Sequence, residues 1–179
     1  VLIGEAYSEE EALPQYLANN DLMSLAYLYL YKIILCYLLG DDSQALEHTK
    51  TGANFLNGAP SQMTIPLFFF YESLVLLSNC KFLSEAESLS ALQKVEANQE
   101  KMKYWASCAP MNLQHKYDLV AAEGYRVVGD RLQAINLYDR SIAGAKDYAY
   151  IQEEALANEL FAKFHLDWGR EKEAALYMH

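Results

Sequence analysis

Apolar residues recur along this chain at spacings of three and four, the period of an amphipathic helix. Tyr117, Val120, Ala121, Tyr125 and Val128 make one such stripe, which stops at Gly129. Asp130 is then placed to N-cap a second helix, with Gln133 three residues later in capping-box position and Leu132, Ile135, Tyr138 and Ile142 as the apolar stripe. A turn this short predicts two antiparallel helices. The same plan fits Asp21 to Asn57, turning at Gly40, and Ile151 to His179, turning at Gly169. In each, an alanine follows the glycine by five residues: Gly40 and Ala45, Gly129 and Ala134, Gly169 and Ala174. Glycine lets the chain leave a helix in a left-handed conformation or leaves room at a tight corner, and alanine lets the two helices approach closely.

A fourth, less regular copy is expected between Thr64 and Ser107. Pro66 suits a first helical turn, and Phe68, Tyr71, Leu74, Val75 and Leu77 make the first stripe. The turn NCKFL lacks glycine, Ser84 and Glu87 form a capping box, and Ala86 takes the small-residue position. Ala45, Ala86, Ala134 and Ala174 stand 41, 48 and 40 residues apart, longer than the minimal two-helix repeat of about 34. No sustained period-two alternation occurs. The fold class expected is therefore all-α, an α-α superhelix of about four antiparallel hairpins. These cover about 21–57, 64–107, 112–147 and 151–179 of a single helical-repeat domain, with 1–20 as a lead-in.

The glycine-aromatic-alanine plan resembles the tetratricopeptide repeat, although the first-helix tryptophan is missing and Trp168 lies at a helix end. A closer resemblance covers nearly the whole chain. LIGEAYSEEEALPQYLANND, LYLYKIILCYLLGD, VEANQEKMKYWASCAPMN, HKYDLVAAEGYRVVGD, AINLYDRSIAGA and EEALANELFAKFHLDWG are similar to the helical-repeat region of very large bacterial signalling proteins, especially cyanobacterial ones. In those proteins a serine/threonine-kinase-like domain and an ATPase module precede the repeats, and a sensor domain and a histidine kinase follow. The resemblance implies a piece of a longer chain, as do the opening at Val1 and the helical pattern running to His179. No kinase or ATPase motif occurs in these residues, so no catalytic residue is carried over.

Composition agrees with a packed domain: 53% of the 179 residues are hydrophobic, enough for a sizeable core. The net charge of −10, from 24 acidic against 14 basic residues, argues against a nucleic-acid partner, whose affinity comes largely from Lys and Arg. Leu22 to Leu39 is 18 residues long and mostly apolar, near the lower limit for a bilayer span. Lys32 sits near its middle and Tyr27, Tyr29, Tyr31 and Tyr37 are spread along it instead of belting its ends. It reads as a helix buried on most sides. IPLFFFYESLVLL is shorter and carries Glu72, and no signal peptide opens the chain, so no membrane partner is expected. Cys36, Cys80 and Cys108 form neither a disulfide framework nor a metal knuckle. They read as buried small hydrophobes in a cytoplasmic setting.

Candidate chemistry is sparse. Phosphate-binding, dinucleotide-binding, zinc-protease and nucleophile-elbow motifs are all absent. His48, His115, His165 and His179 lie far apart, and none has a second histidine three or four residues away. The mixed charges of HKYDLVAAE are ordinary for a helix surface, and Glu153, Glu154 and Glu159 suit the first turns of a helix. No catalytic residue, metal or cofactor is expected. Fourteen tyrosines either pack between hairpins or line a peptide groove.

The expected function is that of a non-catalytic protein-protein or interdomain interaction and relay module. First helices of stacked hairpins make a concave face, and the tetratricopeptide register puts Lys116, Glu123 and Arg126, then Glu159 and Lys163, on it. The partner is expected to be a protein or a neighbouring domain of the same chain. A rigid spacer or homo-oligomerisation element is the alternative, and a tyrosine-lined small-molecule pocket a second one.

Overall fold

Four polar side chains start four helices. Asp21 accepts from the Ser24 amide at 3.0 Å, Asp41 from Gln44 at 3.1 Å and Asp130 from Gln133 at 3.2 Å. The Ser84 hydroxyl accepts from the Glu87 amide while the Glu87 carboxylate accepts from the Ser84 amide, a complete capping box. The computed structural model in which these contacts are seen describes residues 1–60 and 62–178; His179, expected at the end of the fourth hairpin, lies outside them. The fold is all-α.

Nine α-helices occur among the described residues: α1 Glu9–Ala18, α2 Leu22–Leu38, α3 Asp42–Gly52, α4 Thr64–Asn79, α5 Glu85–Cys108, α6 Pro110–Val128, α7 Arg131–Asp147, α8 Ile151–Asp167 and α9 Glu171–Ala174. A two-stranded antiparallel ribbon, β1 Ile3–Gly4 and β2 Tyr7–Ser8, precedes them. At two residues per strand it leaves no alternation for a sequence pattern to register.

The three glycine corners are left-handed, with φ of +77° at Gly40, +87° at Gly129 and +73° at Gly169. A β-carbon at any of the three would meet nothing within 4 Å. Of the two expected reasons for glycine, backbone conformation is therefore the operative one. Ala45, Ala134 and Ala174 are fully buried where the paired helices meet. Ala86 is exposed, which corrects its assignment to the same position.

The reason is that α5 finds its partner elsewhere. Two compact units divide the chain at Phe82 and Leu83, inside the expected corner of the second hairpin. In the first unit α4 packs on α2 and α3. Asn79 donates to the Asp42 carbonyl at 3.3 Å and Ser78 to its carboxylate at 3.0 Å. The core here is Leu25, Leu28, Leu30 and Ile33 of α2 with Phe68, Phe70, Leu74 and Leu77 of α4. A half-buried Lys32 pairs with buried Glu9 at 2.5 Å and ties α1 to α2. Thr64 to Phe82, 19 residues of mean hydropathy 1.2, is long and apolar enough to cross a membrane by length and composition, and 56% of it is buried.

In the second unit α5 packs on α6 with Ala91, Val95, Asn98, Met102 and Ala106 buried. Its exposed N-terminal turns carry Ala86. Next α6 pairs with α7, α7 with α8, and α8 with α9. The centre is aromatic: Tyr138 of α7 stacks on Phe161 of α8 at 4.8 Å.

Candidate functional site

The five charged residues assigned to a groove meet two different fates. Lys116 is 2% exposed and points into the α6–α8 contact. Its ammonium lies 2.8 Å from Glu153 of α8 and 4.3 Å from the Tyr150 ring centre, and donates to the Asn112 carbonyl at 3.3 Å. Burial lowers its pKa, with Glu153 opposing the shift. Glu123 is also buried; it accepts from Arg126 at 2.7 and 2.9 Å and from the hydroxyl of Tyr138. Burial works against the Arg126 charge, but the Glu123 carboxylate more than offsets it, so the guanidinium pKa is raised. Lys116 ties α6 to α8, and Glu123, holding Arg126 on its own helix, ties α6 to α7. For Lys116 and Glu123 the assignment to an open surface is corrected, because a buried charge that has found its counter-ion inside the fold has none to offer a partner; Arg126 is half-buried, with its guanidinium held by Glu123.

Glu159 and Lys163 are the other case. They pair at 2.6 Å with side chains 55% and 61% exposed, on the outer face of α8. There an open groove of about 610 Å³ is lined by Ile151, Glu154, Ala155, Asn158, Glu159, Ala162, Lys163, Leu166, Tyr177 and Met178. Successive turns of α8 supply its floor and one rim, and the segment after α9 supplies the aromatic end. Tyr177 lies in a short 3₁₀ turn, Ala175–Tyr177, and stacks on buried His165 at 5.8 Å with the rings almost parallel. Tyr177 and Met178 were missed in sequence because a single turn after a four-residue helix shows no period.

A second group missed in sequence surrounds His115. This residue is buried, its ring is 4.6 Å from that of Tyr150, and Nδ1 has no hydrogen-bond partner. Burial first, then the Lys116 charge, lowers its pKa to about 4. Tyr150 reaches it because the preceding residue, Ala149, turns the chain with φ of +59°, a left-handed conformation that sequence reading expects of glycine and not of alanine.

Among the described residues no three His, Cys, Asp or Glu side chains come together as metal ligands would. The cysteines are free, and none is fully buried as expected: Cys36 and Cys80 are half-buried and Cys108 is exposed. The tyrosines divide: Tyr71 and Tyr138 are core residues, whereas Tyr31, Tyr104, Tyr125 and Tyr148 are exposed.

No family model, curated protein or solved structure matches the chain.

Proposed function

We propose that this chain is a non-catalytic interaction and relay module with tetratricopeptide-like helical hairpins, working in the cytoplasm within a multidomain signalling kinase. The α8 groove receives a helical segment from a protein or from a neighbouring domain. The observation that carries this reading is the groove itself, which sets apolar Ile151, Ala155, Ala162 and Leu166 beside polar Glu154, Asn158, Glu159 and Lys163. It is partly open to solvent rather than closed, which suits a docked segment better than an enclosed small molecule. The Glu159–Lys163 pair is exposed and so adds charge-pattern selectivity more than affinity.

The test compares affinity capture on the unaltered chain with capture on an Ala155→Arg, Lys163→Glu variant whose circular dichroism is unchanged. A protein retained by the first and lost by the second supports the groove. Identical captured sets for the two would refute it.

The apolar stripe Met23, Tyr31, Leu35 and Leu38 on the outside of α2 favours the homo-oligomerisation reading as a second possibility.

A further inference from the structure

The hydrogen bonds, ion pair and ring contacts between α6 and α8 gather at the start of α8. Tyr150, just before the helix, donates its hydroxyl to Asn112 at 2.8 Å and lays its ring 4.6 Å from that of His115 and 4.3 Å from the Lys116 ammonium. Glu153, in the first turn, pairs with the same ammonium at 2.8 Å. Farther along, α8 is held by α7 instead, through the stacking of Tyr138 on Phe161 and Phe164, and at its far end the Asp167 charge acts on Arg126. The first turn of α8 and the rest of the helix therefore answer to different neighbours.

One imidazole decides whether that turn stays in place. The Lys116 ammonium can only donate, so His115 Nε2, 2.9 Å from it, must be bare and the ring proton must sit on Nδ1. A second proton would turn Nε2 into a donor facing a donor. It would also leave two buried cations, His115 and Lys116, sharing the single carboxylate of Glu153. Lys116 and Glu153 are the charges that act on the ring. From α7 the neighbours are Ser141, whose hydroxyl donates to the His115 carbonyl, and Gly144, neither charged. The side chains that α5 buries are uncharged as well.

The connection into this turn is strained. Ala149 holds φ of +59°, a left-handed conformation that costs an alanine free energy and persists where surrounding contacts over-determine it. The contacts of Tyr150, the next residue, supply that constraint.

We infer that the start of α8 is a proton-released latch: a proton on His115 frees Tyr150 and Glu153 from α6 while the rest of α8 stays stacked on α7. Release lets Ala149 relax and breaks the hydrogen bond from the Tyr150 amide to the Ala145 carbonyl. It also moves Ile151 and Glu154, which line the α8 groove; the latch itself does not depend on what that groove binds. The released ring has the ordinary pKa of 6.5 and the latched ring one of about 4. Opening therefore grows as the pH drops below 6.5, about 20-fold between pH 7 and pH 5 and about 300-fold at most.

The experiment is amide hydrogen exchange of the whole chain, read as protection factors at pH 7, 6 and 5, alongside nitrogen NMR of the histidine rings. The expected result is an Nδ1–H tautomer for His115 at pH 7. Between pH 7 and pH 5 the protection of the Tyr150 and Glu154 amides should fall about 20-fold, while α6, α7 and the end of α8 keep theirs. His115→Gln, neutral at every pH, should hold that protection constant, which removes His48 and His165 as the cause. Lys116→Met should let the ring take its proton at higher pH, paired with Glu153, so that protection of the turn does not fall as the pH drops. An Nε2–H tautomer at neutral pH overturns the inference, as does protection at Tyr150 and Glu154 that ignores pH. Protection lost equally from α5 to α8 marks global unfolding and overturns it too. If His115→Gln does not fold, the contrast between the unaltered chain and Lys116→Met still decides.

Discussion

Lys116 of α6 and Glu153 of α8 meet at 2.8 Å with the lysine almost wholly out of water. Removing one member of such a pair strands the other. Glu153→Ala is expected to cost about 3–5 kcal/mol, whereas Lys116→Met combined with Glu153→Leu is expected to be neutral or mildly stabilising. Urea midpoints at unchanged m decide between them. A double variant weaker than the single would show that the charges themselves hold α6 to α8.

His115 makes stability depend on pH. Its folded pKa is lowered to about 4 from the ordinary 6.5, so between those values the unfolded chain binds a proton that the folded chain refuses. The stability associated with the neutral ring is complete above pH 6.5 and is lost as the pH falls towards 4, by roughly 3 kcal/mol in all. His48 and His165 are lowered too, chiefly by burial, and Asp118 is raised by burial against the pull of Arg140. The difference between the unaltered chain and His115→Gln isolates the ring. Parallel stability-pH curves for the two proteins would contradict the assignment.

The corner and the helix contact respond differently to added bulk. Gly129→Val forces a β-branched residue to φ of +87° and should cost about 1 kcal/mol or more through backbone strain alone. Ala134→Leu overpacks a fully buried contact and should cost about 1–3 kcal/mol. Ala86→Leu, on an exposed turn of α5, should stay within about 0.5 kcal/mol. Thermal midpoints give the order; an Ala86→Leu protein as damaged as Ala134→Leu would return Ala86 to a helix contact.

Charge reversal separates the inner network from the groove. Arg126→Glu places a second carboxylate beside buried Glu123 and should lower stability by at least about 2 kcal/mol. It therefore reads folding, not binding. Lys163→Glu alters an exposed pair and should change stability by about 0.5 kcal/mol or less. Equal midpoints for the two variants would show that Glu123 and Arg126 are not coupled to the core.

What the sequence determined here is what depends on a few neighbouring residues. Gly40, Gly129 and Gly169 end helices because only glycine turns left-handed without strain, and Asp130 and Ser84 start them because their oxygens reach amides three residues on. Those contacts form within one turn, so their spacing is visible in the chain. Glu159 and Lys163 share a face of α8 because an i,i+4 pair does so whatever surrounds it; that this face is exposed is decided by the neighbouring helices. Tertiary structure alone decided the rest. An apolar stripe says that a helix has a buried face and leaves open which neighbour buries it, so the choice of α6 rather than α4 as the partner packed against α5, and with it the exposure of Ala86, was hidden. Lys116 and Glu123 read as surface charges for the same reason. Glu153, the counter-ion of Lys116, lies thirty-seven residues away on α8, and the carboxylate of Glu123, which Arg126 three residues on already holds, is closed off only once α7 brings the Tyr138 hydroxyl onto it.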